Sequence, residues 1–311
     1  MITIPVCVCG DHWLNPSEVY EQLQQSYEKV TIDMGTEGAS MTALGITDMI
    51  DRLYRPDQVW VQRWPNTQDQ IKYHRCEQHL FSHFFWMASS YWNFEPRPNT
   101  NEYMFGLFLG RRTLPRMRLL HDMMASHAED CMFSMMTASQ LPAAVGVHLE
   151  HPEEWNLGLD YQKWMQDPGV AGLDGHRVRD QYLPEYNTNL SLLGHYHRFD
   201  IEIVCEAYCR GPCFFPTEKT VRPLLFRKPI MVYGPRHFLR NLRSLGFITW
   251  SSIWDESYDE LEGLSRWLAM RAQIDLLATR SDFSQLLADM QAILIHNQQL
   301  AREIGQRYAP L

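Results

Sequence analysis

The chain has 311 residues, 45% of them hydrophobic and 21% charged, with a net charge of −9 at neutral pH. That length supports two domains of ordinary size, each with its own core, and excludes a fibre or one very small domain. No apolar run approaches the ~20 residues that cross a bilayer, and the acidic balance disfavours a surface devoted to nucleic-acid phosphate while leaving room for a local basic cleft.

Residues 1 to 9 alternate as a buried strand, and they lack the basic stretch and small-residue cleavage site of an export signal, so the expectation is a cytoplasmic protein. Gly10-Asp11-His12-Trp13 reads as a turn at a sheet's carboxyl edge, and Asn15-Pro16-Ser17 opens a helix reaching about Lys29. Val30–Met34 is a second strand, Gly35-Thr-Glu-Gly-Ala-Ser40 a small-residue loop, and 41–53 a second helix. Val59–Gln62 completes a βαβαβ pattern, which predicts a parallel sheet. His74, His79 and His83, interleaved with Phe81, Phe84, Phe85 and Trp86, read as an aromatic wall able to stack a sugar or base rather than as a metal site.

The prolines and polar residues of Phe94–Thr100 mark an interdomain connection. Beyond it, Tyr103–Leu109 is a strand, Gly110-Arg-Arg-Thr113 a turn, and Leu114-Pro115 the start of a helix, Pro suiting the first turn. Cys131–Met135 is the next strand, and 140–197 is loop-rich. Ile201–Glu206 alternates like a strand and Pro229–Tyr233 is a short apolar one closed by Gly234-Pro235. Between them Thr217 is the expected N-cap of a helix, with Glu218 and Lys219 in its first turn and Val221, Leu224 and Leu225 on its buried face. An amphipathic helix to Gly246, a short strand Phe247–Trp250, and helices at 260–278 and 282–307 follow. Asp255, Glu256 and Asp259 read as solvated helix caps. The seven cysteines are scattered, and the Cys205, Cys209, Cys213 series has no matching second pair, so free thiols and no metal are expected.

A helix N-terminus after a parallel strand offers unpaired N–H groups and a positive dipole end to an anion. Lys219 opposes that dipole, which favours an anion beside it; the plainer reading is an ordinary capped helix. Arg222, one turn on, either joins the anion or pairs with Glu218. Glu206 ends a buried strand and needs a partner, either a neighbouring Arg or a ligand beyond the sheet edge. Arg111 and Arg112 follow another such strand directly, and their planar donors suit phosphate.

Taken together, the acidic strand end, Thr217-Glu-Lys219, and the Pro229–Gly234 strand resemble the donor-binding half of GT-B glycosyltransferases, most closely the fucosyltransferase-like group, over roughly residues 104 to 250. The resemblance implies an α/β chain of two Rossmann-like lobes with C-terminal helices. Residues 1–98 would be the acceptor-side domain, 99–280 the nucleotide-sugar-binding domain, and 281–311 a terminal helix packing back toward the first domain. It implies that Glu218 bonds sugar or ribose hydroxyls and Lys219 neutralises the donor diphosphate, with Thr217, Glu206, Arg222 and an Arg among Arg111, Arg112 and Arg116 assisting. The reaction implied is a metal-independent transfer of a sugar from a nucleoside-diphosphate sugar to an acceptor hydroxyl on a glycan, a small molecule or modified DNA. The Thr-Glu-Lys and Trp254-Asp-Glu-Ser-Tyr-Asp259 segments also resemble phage-encoded proteins, which brings a hydroxymethylated DNA base into the acceptor set. An inverting transfer needs a base from the first domain; Asp11, His12, Asp33 and Glu37 are candidates, Glu37 first because Gly35 and Gly38 let a substrate approach, with Asp11 beside it. The alternative is a non-catalytic binding or assembly protein on the same fold.

Overall fold

The computed structural model describes residues 1–9, 12–35, 40–62, 71–75, 96–110, 113–135, 147–148, 182–183 and 188–307. Two four-stranded parallel sheets organise them. The first runs β1 (Ile2–Pro5), β4 (Val30–Asp33), β5 (Val59–Gln62), β6 (His74–Arg75), every pair parallel. Ile4, Ile32, Val59 and Val61 bury completely in its core, as a sheet covered on both faces requires. A small antiparallel sheet of β2 (Val8–Cys9), β3 (His12–Trp13) and β9 (Val147–His148) adjoins its start.

Both described helices of this lobe are shorter than the periodicity predicts. Helix α1 is Pro16–Leu23, and the chain then turns through Ser26 at φ 55°. Asn15 precedes α1 without capping it: its amide accepts from Cys7 N at 2.8 Å and Trp13 Nε1 at 3.1 Å and donates to Pro5 O at 3.0 Å. Helix α2 is Ile46–Asp51, because Gly45 at φ 74° breaks the run begun at Met41.

The second sheet has the order β13 (Ile230–Tyr233), β12 (Phe199–Cys205), β7 (Tyr103–Leu109), β8 (Cys131–Met135), again all parallel. From β7 the chain moves outward to β8 through α3 (Leu114–His127); from β12 it moves the opposite way to β13 through α4 (Glu218–Leu225). The strand order therefore reverses between β7 and β12, and the carboxyl edge there is where ligands of open α/β sheets bind. A pair of short strands, β10 (Tyr182–Leu183) and β11 (Thr188–Asn189), leads into a 3-10 turn at Leu190–His195.

The C-terminal third departs from expectation in three places. Phe247–Trp250 forms no strand; Ile248 instead gives its N–H to Asn297 Oδ1 at 2.9 Å and receives Asn297 Nδ2 on its carbonyl at 2.8 Å, so a side chain does a strand's work. Glu256 and Asp259 are buried, not solvated: Asp259 accepts from the amides of Leu239 and Arg240 at 3.0 and 2.9 Å, capping α5 (Phe238–Ser244) from outside. The fully buried Arg266 of α6 (Gly263–Ala278) pairs with it at 3.0 Å. Finally, the predicted terminal helix is two helices, α7 (Phe283–Asp289) and α8 (Gln291–Arg307), and their buried apolar residues Phe283, Leu294, Ala301 and Ile304 join the second lobe's core rather than the first's. Gln298 fixes α8 to α4 by donating to Leu225 O at 2.6 Å. No helix among the described residues is long and apolar enough to cross a membrane.

Candidate functional site

The carboxyl edge of the second sheet gathers Thr217 and Thr220 around one side chain, Glu206, just beyond β12. Glu206 is 1% exposed, and its carboxylate accepts four hydrogen bonds. Thr217 N and Thr220 Oγ1 donate to Oε1 at 3.1 and 2.5 Å. Thr217 Oγ1 and Ala207 N donate to Oε2 at 2.6 and 3.3 Å. The carboxylate so satisfied sits under the motif and orients it, which makes Glu206 a positioning group for α4.

Thr217 is the N-cap, as the sequence predicts. Its hydroxyl proton goes to Glu206, leaving lone pairs for the Lys219 amide at 3.3 Å and the Lys219 ammonium at 3.4 Å. Val221, Leu224 and Leu225 are buried. Pro223 lacks the N–H that would bond the carbonyl of Lys219, and the helix ends within the turn, where Phe226 N bonds the carbonyls of Arg222 and Pro223, both at 3.1 Å.

Glu218 and Lys219 form an ion pair at 2.6 Å with side-chain exposures of 23% and 17% respectively. Neither is in bulk water and neither is sealed. Burial alone would raise the Glu218 carboxyl; the Lys219 ammonium, helped by Arg222, outweighs it and holds the group below its ordinary range. The pair therefore presents an ionised carboxylate and an ammonium at the opening turn of the helix.

Arg116 and Arg222 take deeper places. Arg116, in the first turn of α3, donates through Nη2 to the carbonyls of Cys205 and Glu206 at 3.4 and 3.1 Å, bracing the end of β12. Arg222 is 3% exposed and turns under the helix, donating from Nε to Tyr196 Oη at 2.5 Å and from Nη2 to Glu202 at 3.4 Å. Tyr196 in turn donates to the other Glu202 oxygen at 2.5 Å. Burial pushes Glu202 up to about 7 against the pull of Arg222, and pushes the Tyr196 phenol up as well. Glu202, Tyr196 and Thr220 were not singled out in the sequence, although a carboxylate inside the otherwise apolar Ile201–Cys205 run signals a buried partner.

The first lobe's candidates are less completely placed. Asp33 is buried at the end of β4 and accepts from Gly35 N at 3.0 Å. His12 lies in β3. His74, exposed in β6, stacks on Trp60 with ring centroids 4.7 Å apart. Asp11, Glu37, Arg111, Arg112, His79 and His83 lie outside the described residues.

The two lobes meet at the site through the loop 207–216. Tyr208, Cys213 and Phe215 bury in the first lobe's core, whereas Cys209 and Phe214 bury in the second's. Cys205 and Cys209 are buried free thiols, and Cys209 Sγ approaches Glu206 O at 3.4 Å. Among the described residues no group of three or more His, Cys, Asp or Glu side chains is placed to hold a metal ion.

No protein-family model and no curated protein matches the chain. What the fold and the site define is an α/β protein with two parallel sheets and a polar, charged helix opening at a strand-order reversal.

Proposed function

We propose that this chain is a GT-B-like glycosyltransferase that holds a nucleoside-diphosphate sugar at the N-terminus of α4 and passes the sugar to an acceptor hydroxyl. The observation that carries this reading is the position of Lys219: a partly exposed ammonium in the first turn of a capped helix, beside the switch between β7 and β12. Glu218, paired with it at 2.6 Å, offsets the helix's positive end in part, and a diphosphate would supply the further negative charge that an ammonium at a helix N-terminus attracts. The resemblance of Thr217-Glu-Lys219 to the fucosyltransferase-like donor motif supports the same assignment.

In this reading Glu218 accepts from sugar or ribose hydroxyls, and Lys219 stabilises the leaving diphosphate, a side-chain cation serving where other enzymes use a metal. Glu206, Thr217 and Arg116 hold that geometry. The acceptor oxygen bonds the sugar's anomeric carbon as the bond to the phosphate oxygen breaks; the diphosphate leaves with that electron pair, and in an inverting transfer the acceptor's proton goes to a first-lobe base, for which Asp11, His12, Asp33 and Glu37 are the candidates, Glu37 and Asp11 first. The acceptor is a hydroxyl of a glycan, a small molecule or a modified DNA base.

Calorimetry with a panel of nucleotide sugars tests this. At least one should bind, and Lys219→Ala should weaken it about tenfold to a hundredfold, the worth of a charge-assisted contact. Binding of none, or equal binding by the variant, refutes the assignment.

A further inference from the structure

The loop 207–216 is built as a strip shared by two cores. Neighbours in sequence bury on opposite sides: Tyr208 in the first lobe and Cys209 in the second, then Phe214 in the second and Phe215 in the first. Tyr208 and Phe215 pack edge to face at 6.0 Å, and Phe214 packs in the same way on Phe238 at 5.3 Å. Between these anchors Gly211, at φ 70°, lies so close to the first lobe that a Cβ on it would stand 2.7 Å from Ala43 Cβ. Cys213 N closes a tight turn there onto Gly211 O at 2.8 Å.

Both ends of the strip return to one side chain, since Ala207 N and Thr217 N each donate to Glu206. The chain therefore has a fixed clasp under α4 and a fixed seat on the first lobe, and only Pro216 separates the Phe215 anchor from the Thr217 cap. An extended chain spans at most about 3.5 Å per residue, so a displacement of the seat has no slack in which to dissipate before it reaches the cap.

We infer that the loop 207–216 is a strap through which the first lobe, by its turn at Ser40–Gly45, sets the position of the Thr217–Lys219 helix opening, so that diphosphate binding there and the seating of the strap are coupled. The inference rests on the proposed diphosphate site at Lys219. Coupling of this kind is reciprocal: whatever unseats the strap weakens the ligand, and the ligand holds the strap down. It gives the two lobes a means of communicating that does not pass through the interdomain connection expected at 94–100.

Two variants press on the strap from opposite sides. Gly211→Val strains a backbone at positive φ and drives into Ala43; Ala43→Val enlarges the side chain that faces Gly211 from the first lobe and leaves the second lobe's residues untouched. Each is compared with wild type and with Lys219→Ala, using inorganic pyrophosphate as the probe in calorimetry and amide hydrogen exchange at Thr217 and Lys219. Pyrophosphate affinity should fall about fivefold or more in both strap variants, with faster exchange of the two amides. Should Gly211→Val fail to fold, Ala43→Val decides alone. Unchanged pyrophosphate affinity in folded strap variants overturns the coupling. If wild type binds no pyrophosphate, the diphosphate site is what fails, and exchange then decides the strap: faster exchange at Thr217 retains it as a positioning device, and unchanged exchange removes it.

Discussion

The Thr217 hydroxyl donates to Glu206 Oε2 at 2.6 Å, and through that bond the end of β12 dictates where α4 begins. A cap hydroxyl ordinarily serves its own helix alone. Here its proton is committed to a buried carboxylate, so its lone pairs turn to the Lys219 amide and ammonium. The motif's charged pair is thereby held in one geometry.

Glu206→Gln should destabilise the protein by about 2 kcal/mol, because an amide offers one acceptor oxygen where four donors converge on two and brings its own N–H groups against hydroxyls and amides already donating. Denaturant unfolding measures it. A loss below about 0.5 kcal/mol would show that the network is not a stabilising one.

Glu202 gives a pH dependence of defined sign. Its folded-state value is raised by burial from 4.5 to about 7, so between those values the folded protein binds more protons than the unfolded chain. Stability should therefore fall as pH rises through that window, with a slope on the order of 1 kcal/mol per pH unit. Asp200, raised by burial from 3.8 to about 6, acts in the same direction lower down. Glu202→Gln removes the titration while keeping one acceptor oxygen for the two donors, Tyr196 and Arg222, so its stability profile should be flatter from pH 5 to about 7. Parallel profiles for variant and wild type would contradict the assignment.

Glu218 behaves in the opposite way. Its carboxyl is held low by Lys219, so it contributes stability above its unfolded value that is lost as pH falls through its folded one. Lys219→Ala removes the Lys219 share of that contribution and leaves burial opposed only by Arg222 and a backbone hydrogen bond. NMR titration of the Glu218 side chain should find it displaced upward in the variant; an unmoved titration would mean that Lys219 is not its partner in solution.

Asp259→Ala should cost about 3 kcal/mol or more, since it strips the cap from α5 and leaves the buried Arg266 guanidinium without its carboxylate. Thermal and denaturant unfolding read the loss. A near-neutral result would mean that the carbonyls of Val232, Tyr258 and Asp259 satisfy Arg266 unaided.

Local signals in the sequence were sufficient for the α/β class, the parallel strands of both sheets other than β6, the Leu114 helix start and the Thr217 cap. Each is set by neighbours in the chain: strand alternation, a Pro in a first turn, a hydroxyl followed by a buried helical face. The same logic located Glu218 and Lys219 at a helix opening.

What only tertiary structure decided is where the partners of the buried charges lie. Arg222 hydrogen-bonds Glu202 and Tyr196, Arg116 braces strand carbonyls, and Asp259 caps a helix to which it does not belong. The terminal helices joined the second core, and Tyr208 and Phe215 crossed to the first. Periodicity says that a side chain is buried but not against which lobe, because the free energy of burial depends on the apolar area removed from water and not on who covers it. The choice of partner is made by long-range geometry, which no local window of residues encodes.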